Sequence, residues 1–149
     1  MTTPLAHQTY ELFVRATPDA VWRAMCDPAM TAQYFFGTKL SSTLEPGTPY
    51  AYVFQDARTA VDGEILAVER GRRLEMSWVI RYDPSLSDER SVVTWSLEPR
   101  GAHATKLTVT HDCARAPRTA AHVGKDGWSL VLSGLKTLVE TGAPLVIGQ

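Results

Sequence analysis

Two side chains able to carry proton or metal chemistry lie two residues apart in the segment THDC: His111 and Cys113. On an extended chain, residues i and i+2 share a face. An imidazole and a thiol would then point the same way, which is the minimum for a thiol-imidazole pair or for half of a metal site. A Cys-His nucleophile also needs a third group that orients the base, and a structural zinc needs three or four ligands. No further His/Cys cluster is evident: His103 falls in a turn and His122 in the stretch before a later helix, and both read as surface residues. No metal is therefore expected here, and Cys113 reads as a small buried hydrophobe. The other cysteine, Cys26, is too distant for a CxxC redox pair or a zinc cluster, so both thiols are expected to be reduced.

Asp62 and Glu64 share one strand face, and paired carboxylates at this spacing can do acid-base work inside a pocket. If Val61, Gly63 and Ile65 turn inward, however, the two acids belong to the solvated outer face. Arg72, Arg81 and Arg90 read as charged strand ends. Gly124, Gly127 and Gly134 do not have the spacing of a phosphate-cradling loop, and no cofactor is expected. The 15 basic and 16 acidic residues leave a net charge of -1 with no Lys/Arg block, which argues against nucleic acid as a partner. No window approaches the roughly 20 apolar residues of a membrane span, and the N-terminus lacks a basic region followed by an apolar run. A cytoplasmic protein of one domain, residues 1–149, is the expectation.

The elements that must position these groups follow from the period of the apolar residues. Tyr10, Leu12 and Val14 alternate in a first strand between His7 and Ala16. TPDAVWRAM then offers Thr17 as an N-cap, Pro18 at the first helical position and Val21, Trp22 and Met25 on one face. Asp27 and Pro28 repeat the start signal for a second short helix, Ala29 to Phe36, with Gly37 as its stop. From Lys39 to Cys113 six period-two segments succeed one another: KLSSTLE, PYAYVFQ, TAVDGEILAVE, RRLEMSWVIRY, SVVTWSLEP and ATKLTVTHDC. Their short connections demand antiparallel neighbours. After Pro117 the period returns to 3.6, with Trp128, Val131, Leu132, Leu135 and Leu138 on one stripe of a long helix that ends at Gly142. The reading is α+β: a seven-strand curved antiparallel sheet wrapped around this helix, with two short helices near the start.

The opening ATPDAVWRAM and the closing GWSLVLSGLKTLVETG, in a β-αα-β6-α order, resemble the SRPBCC superfamily, the START-like helix-grip fold that includes the birch pollen allergen. Within it the chain is similar to the branch of homologues of the activator of heat-shock-protein-ninety ATPase. The resemblance implies the helix-grip fold. For function it implies a range: lipid and hormone carriers, polyketide cyclases, a self-sacrificing antibiotic-resistance protein and chaperone activators, so the fold alone does not choose among them.

A curled sheet and one helix leave a gap unless large side chains fill it. In the expected register Tyr50, Tyr52 and Phe54, then Met76, Trp78 and Ile80, then Val93, Trp95 and Leu97, and lastly Leu107, Val109, His111 and Cys113 face inward. The expected ligand site is Tyr52, Phe54, Met76, Trp78, Trp95, His111, Trp128 and Leu132. The same three tryptophans, Trp78, Trp95 and Trp128, would serve equally well as plain core. A small hydrophobic or aromatic ligand is the first expectation. A cyclase- or hydrolase-type reaction using His111 or Asp62 is a second, and chaperone ATPase regulation, from the resemblance, a third. A homodimer stays open.

Overall fold

The alternation of Tyr10, Leu12 and Val14 does build a strand, β1 (His7–Val14), and the Thr17 hydroxyl accepts a hydrogen bond from the Ala20 N–H at the start of α1 (Pro18–Cys26). The computed structural model describes residues 7–147. Asp27 closes α1 and also caps α2 (Pro28–Tyr34) through its carboxylate. The meander follows as β2 (Lys39–Ser42), β3 (Pro49–Val53), β4 (Thr59–Glu69), β5 (Arg73–Ile80), β6 (Ser91–Pro99) and β7 (Thr105–Asp112). Two helices close the chain, α3 (Pro117–Val123) and α4 (Gly127–Thr141).

All neighbouring strands are antiparallel, in the order β1-β7-β6-β5-β4-β3-β2. Because β1 and β2 lie at opposite edges, the chain must cross the whole sheet between them, and α1 and α2 make that crossing. The long helix α4 returns along the same face and buries Trp128, Val131, Leu132, Leu135 and Leu138. It stops at Gly142, whose φ of 80° lets its N–H reach the Leu138 carbonyl. Gly134 is the point where α4 crosses α2: a Cβ there would stand 3.0 Å from the Cβ of Tyr34. Among the described residues no helix is long and apolar enough to cross a membrane.

The pairing of β4 with β5 is broken in mid-strand, with a register shift at Ile65/Ala67. Between the pairs Asp62↔Val79 and Ile65↔Met76 the ladder is interrupted. Side chains take over there: the Ser77 hydroxyl accepts from the Glu64 N–H at 2.8 Å, and the Tyr50 hydroxyl donates to the Ser77 carbonyl at 2.6 Å. Gly63 makes this possible, since a Cβ on it would run into the Ser77 carbonyl oxygen.

Several boundaries differ from the sequence expectation: β1, β3 and β5 end two residues early, at Val14, Val53 and Ile80. α2 ends at Tyr34, not Phe36, because Phe36 and Gly37 both take positive φ, 53° and 74°. β2 stops at Ser42, before Leu44 at φ 59°. The largest difference is α3, a fourth helix where only a connection was expected. It has no side-chain cap of its own. Its free N–H groups are met from the β5–β6 connection, where the Glu89 carboxylate accepts from Thr119 N–H at 2.8 Å and Arg118 N–H at 3.3 Å.

Candidate functional site

Where the first turn of α4 faces the β3–β5 end of the sheet, helix and sheet do not meet. A cavity of about 470 Å³ remains there. Its floor is buried and apolar: Phe35, Ala60, Val61, Trp78, Ile80, Val123, Trp128 and Val131, with the hydroxyl-bearing Thr38. Thr38 spends its hydroxyl on the Phe35 carbonyl at 2.7 Å. The rim carries Phe36, Phe54, Tyr82, His122, Lys125, Gly127 and Leu130. Phe36, Tyr82 and Leu130 are among the most exposed large apolar side chains of the protein, at 57%, 44% and 38% of full exposure. Arg58 lies over the Phe54 ring, 5.2 Å from its centre.

The rings of the floor hold one another. Phe35 stacks on Tyr52 at 4.4 Å and meets Trp128 edge-on at 6.1 Å, while Trp78 lies 5.4 Å from Trp128. Trp95 also contacts Trp128 edge-on, at 5.6 Å. The three tryptophans thus form one packed group, and the hollow lies to one side of it.

Of the eight residues expected to touch a ligand, Phe54, Trp78 and Trp128 line this cavity. Tyr52, Met76, Trp95, His111 and Leu132 lie outside its wall, in the packed layer behind. The structure adds wall residues that the strand register did not include, chiefly Phe36, Tyr82, His122, Lys125 and Leu130. Most of these occupy turns or the α3–α4 connection, where period two and period 3.6 say nothing. The usable signal in the sequence was an aromatic or apolar side chain in a connection, as in FFG and RYD.

His111 is fully committed within the core. The Trp128 indole N–H donates to His111 Nδ1 at 3.0 Å. Indole nitrogen can only donate, so the neutral imidazole carries its proton on Nε2, which donates to the Ser91 hydroxyl at 2.7 Å. Ser91 in turn donates to the Trp78 carbonyl at 3.2 Å. Burial pushes the His111 pKa down to about 4, only partly opposed by the Asp112 carboxylate. Cys113 does not pair with His111; it packs in a separate apolar group with Ala116 and Ala120, and burial pushes its thiol up to about 12. Cys26 is likewise pushed up to about 12 by burial. Asp62 faces outward and pairs with Arg81 at 2.9 Å. Among the described residues no group of three or more His, Cys, Asp or Glu is arranged to hold a metal ion.

Polar chemistry at the cavity comes from its rim. Tyr82 Oη lies 2.6 Å from His122 Nε2, and the two rings are 5.6 Å apart. Lys125 follows on the α3–α4 connection and makes no ion pair among the described residues. The start of α3 is held in place by Arg118, which binds Glu89 at 3.0 Å, Asp88 through both carboxylate oxygens, and the Ser85 carbonyl. Burial acts to raise the Glu89 pKa, but the N–H groups of Thr119 and Arg118 and the guanidinium outweigh it and hold the carboxyl low.

With this fold and this hollow on view, the sequence can be placed. Residues 15–140 match the model of activator of Hsp90 ATPase homolog 1-like proteins. The chain belongs to that family. No curated protein matches it. Among solved structures, DynU16, a putative protein in the dynemicin biosynthetic locus, is 31% identical with a TM-score of 0.75 over 95% of this chain and 49% of its own. The chain therefore spans about half the length of DynU16. CalU16 from Micromonospora echinospora is 27% identical with a TM-score of 0.71, covering 93% of this chain and 76% of that one. PFC0360w, an HSP90 activator from Plasmodium falciparum, shares the fold at 18% identity and a TM-score of 0.73, over 94% and 99% of the two chains.

Proposed function

We propose that this protein binds a small hydrophobic or aromatic molecule in the cavity between the curved sheet and α4. One observation carries the reading. About 470 Å³ stays open beside an interlocked tryptophan group. That volume lies within the usual range of small-molecule pockets, about 300–1,000 Å³. The reaction classes that would rely on His111 or Asp62 find no support in the geometry, since both imidazole nitrogens are bonded in the core and Asp62 is paired outside.

The neutral fluorophore N-phenyl-1-naphthylamine tests the proposal. It is expected to bind saturably at one site per chain, to quench Trp78 and Trp128 by energy transfer, and to raise Tm. A ligand selective for the folded state at 100 times its Kd adds about 2.7 kcal/mol. Absence of saturable binding together with an unmoved Tm would refute it. Family membership favours a second reading, regulation of a chaperone ATPase. Stimulation of a purified Hsp90 ATPase by this protein would establish that reading, and its absence would remove it.

A further inference from the structure

Resting on the binding-protein reading, we infer that the ligand is an acid: an apolar, ring-containing body that carries a carboxylate or similarly acidic oxygen, held at the rim by Lys125 with the Tyr82–His122 pair. The charge inventory of the wall carries this. Among the sixteen residues that line the cavity there is no Asp, Glu or Arg, and Lys125 is the one permanent charge. A bound cation would meet no counter-charge in the wall. A neutral body would leave the exposed Lys125 ammonium to water alone. An anion gains a charge-assisted hydrogen bond, the stronger class.

Neighbouring carboxylates do not cancel this. Asp83, close enough for His122 to act on it, accepts from both the Ser85 N–H and the Ser85 hydroxyl at 3.0 and 2.7 Å. Asp56 is engaged by Arg58 at 2.7 Å, and Asp88 by Arg118. Asp126, next to Lys125 in the chain, is exposed and makes no ion pair among the described residues, but like these three it does not line the cavity.

The polar groups also sit at one place. Tyr82 leaves the end of β5, and His122 and Lys125 come from α3 and the connection after it, whereas the floor beyond is apolar apart from a satisfied Thr38. The ligand therefore enters body first, against Trp78, Val61, Ile80 and Trp128, and keeps its acidic end at the mouth. A cage for an ammonium group is not available in the floor, because the Phe35 face is already stacked on Tyr52 and Trp128 is wedged between Trp78 and Trp95.

Calorimetric titration with three isosteric probes tests the inference: 2-naphthoate, its neutral amide 2-naphthamide, and 2-naphthylmethylamine as the cation. The acid should bind up to about fivefold more tightly than the amide, the margin for an ion pair at an exposed rim, and the amine should bind most weakly. In Lys125→Gln the acid should come to within about twofold of the amide, both affinities being measured in that same variant. Equal affinities for acid and amide in the unaltered protein, an amine that binds tightest, or an acid preference that survives Lys125→Gln would each overturn the acid assignment while leaving the cavity reading intact. Failure of all three probes to bind would overturn both.

Discussion

His111 stays neutral because its two nitrogens serve as one acceptor and one donor in the relay from Trp128 through Ser91 to the Trp78 carbonyl. Protonation would put a second hydrogen on Nδ1, against the indole N–H, in a site with no exposure. The folded-state pKa, about 4, lies below the ordinary 6.5, so between those values the unfolded chain takes up a proton that the folded chain refuses. Stability from this group is full above the unfolded pKa and is lost as pH falls toward 4, by up to about 3 kcal/mol. His111→Gln, whose amide can accept from Trp128 and donate to Ser91, should lower stability at pH 7.5 yet flatten its decline between pH 6.5 and 4.5 in urea titrations. An unchanged slope would show that His111 does not titrate in this window. The relay also explains why a histidine on an inward strand face, a sound candidate for chemistry in the sequence, is here a core residue that positions two of the tryptophans beside the cavity.

At the scale of elements, every strand and the long helix were legible because their apolar periods are local. The helix starts at Thr17 and Asp27 were legible for the same reason. What the sequence hid depends on partners far along the chain. PRTAAHV carries one start signal, Pro117, and its N–H groups are satisfied by Glu89, about thirty residues away. Gly63 is similar: GEIL in β4 gives no hint that residue 63 must lack a side chain, because the obstacle is the Ser77 backbone of the next strand. The cavity rim is built from such places, so of its residues only Phe54 lay in the expected site. Gly63→Ala should therefore destabilise far beyond its gain in strand propensity, by about 1–3 kcal/mol, the range for overpacking in a tight interior. Gly101→Ala, where a Cβ meets nothing within 4 Å but φ is 74°, isolates the backbone cost alone. Equal stability of wild type and Gly63→Ala in denaturant melts would mean that the strands separate freely there, and the close approach of Gly63 to Ser77 would carry no cost.

The whole molecule is asymmetric along α4. Toward its C-terminal half the helix is seated among α1, α2 and β1, with Leu135 and Leu138 buried; at its first turn the sheet curves away and the space beside Trp128 is left open. An ordinary core closes such a space, since each buried methylene contributes about 0.8 kcal/mol. Ala60 sits in the floor on β4, small and buried where a larger apolar side chain would fit into the hollow. Ala60→Leu places three more carbons there. After about 0.5–1 kcal/mol of lost rotamer freedom, the net gain should be about 1.5 kcal/mol, and Tm should rise by about 3–6 °C for a domain of this size. The same change should weaken N-phenyl-1-naphthylamine binding at least about tenfold, as expected where stability is given up for a site. The two readouts must move in opposite directions. A variant that melts lower while binding the probe as before would mean that the space at Ala60 is neither vacant nor used, and the volume beside Trp128 would then have no bearing on what this protein binds.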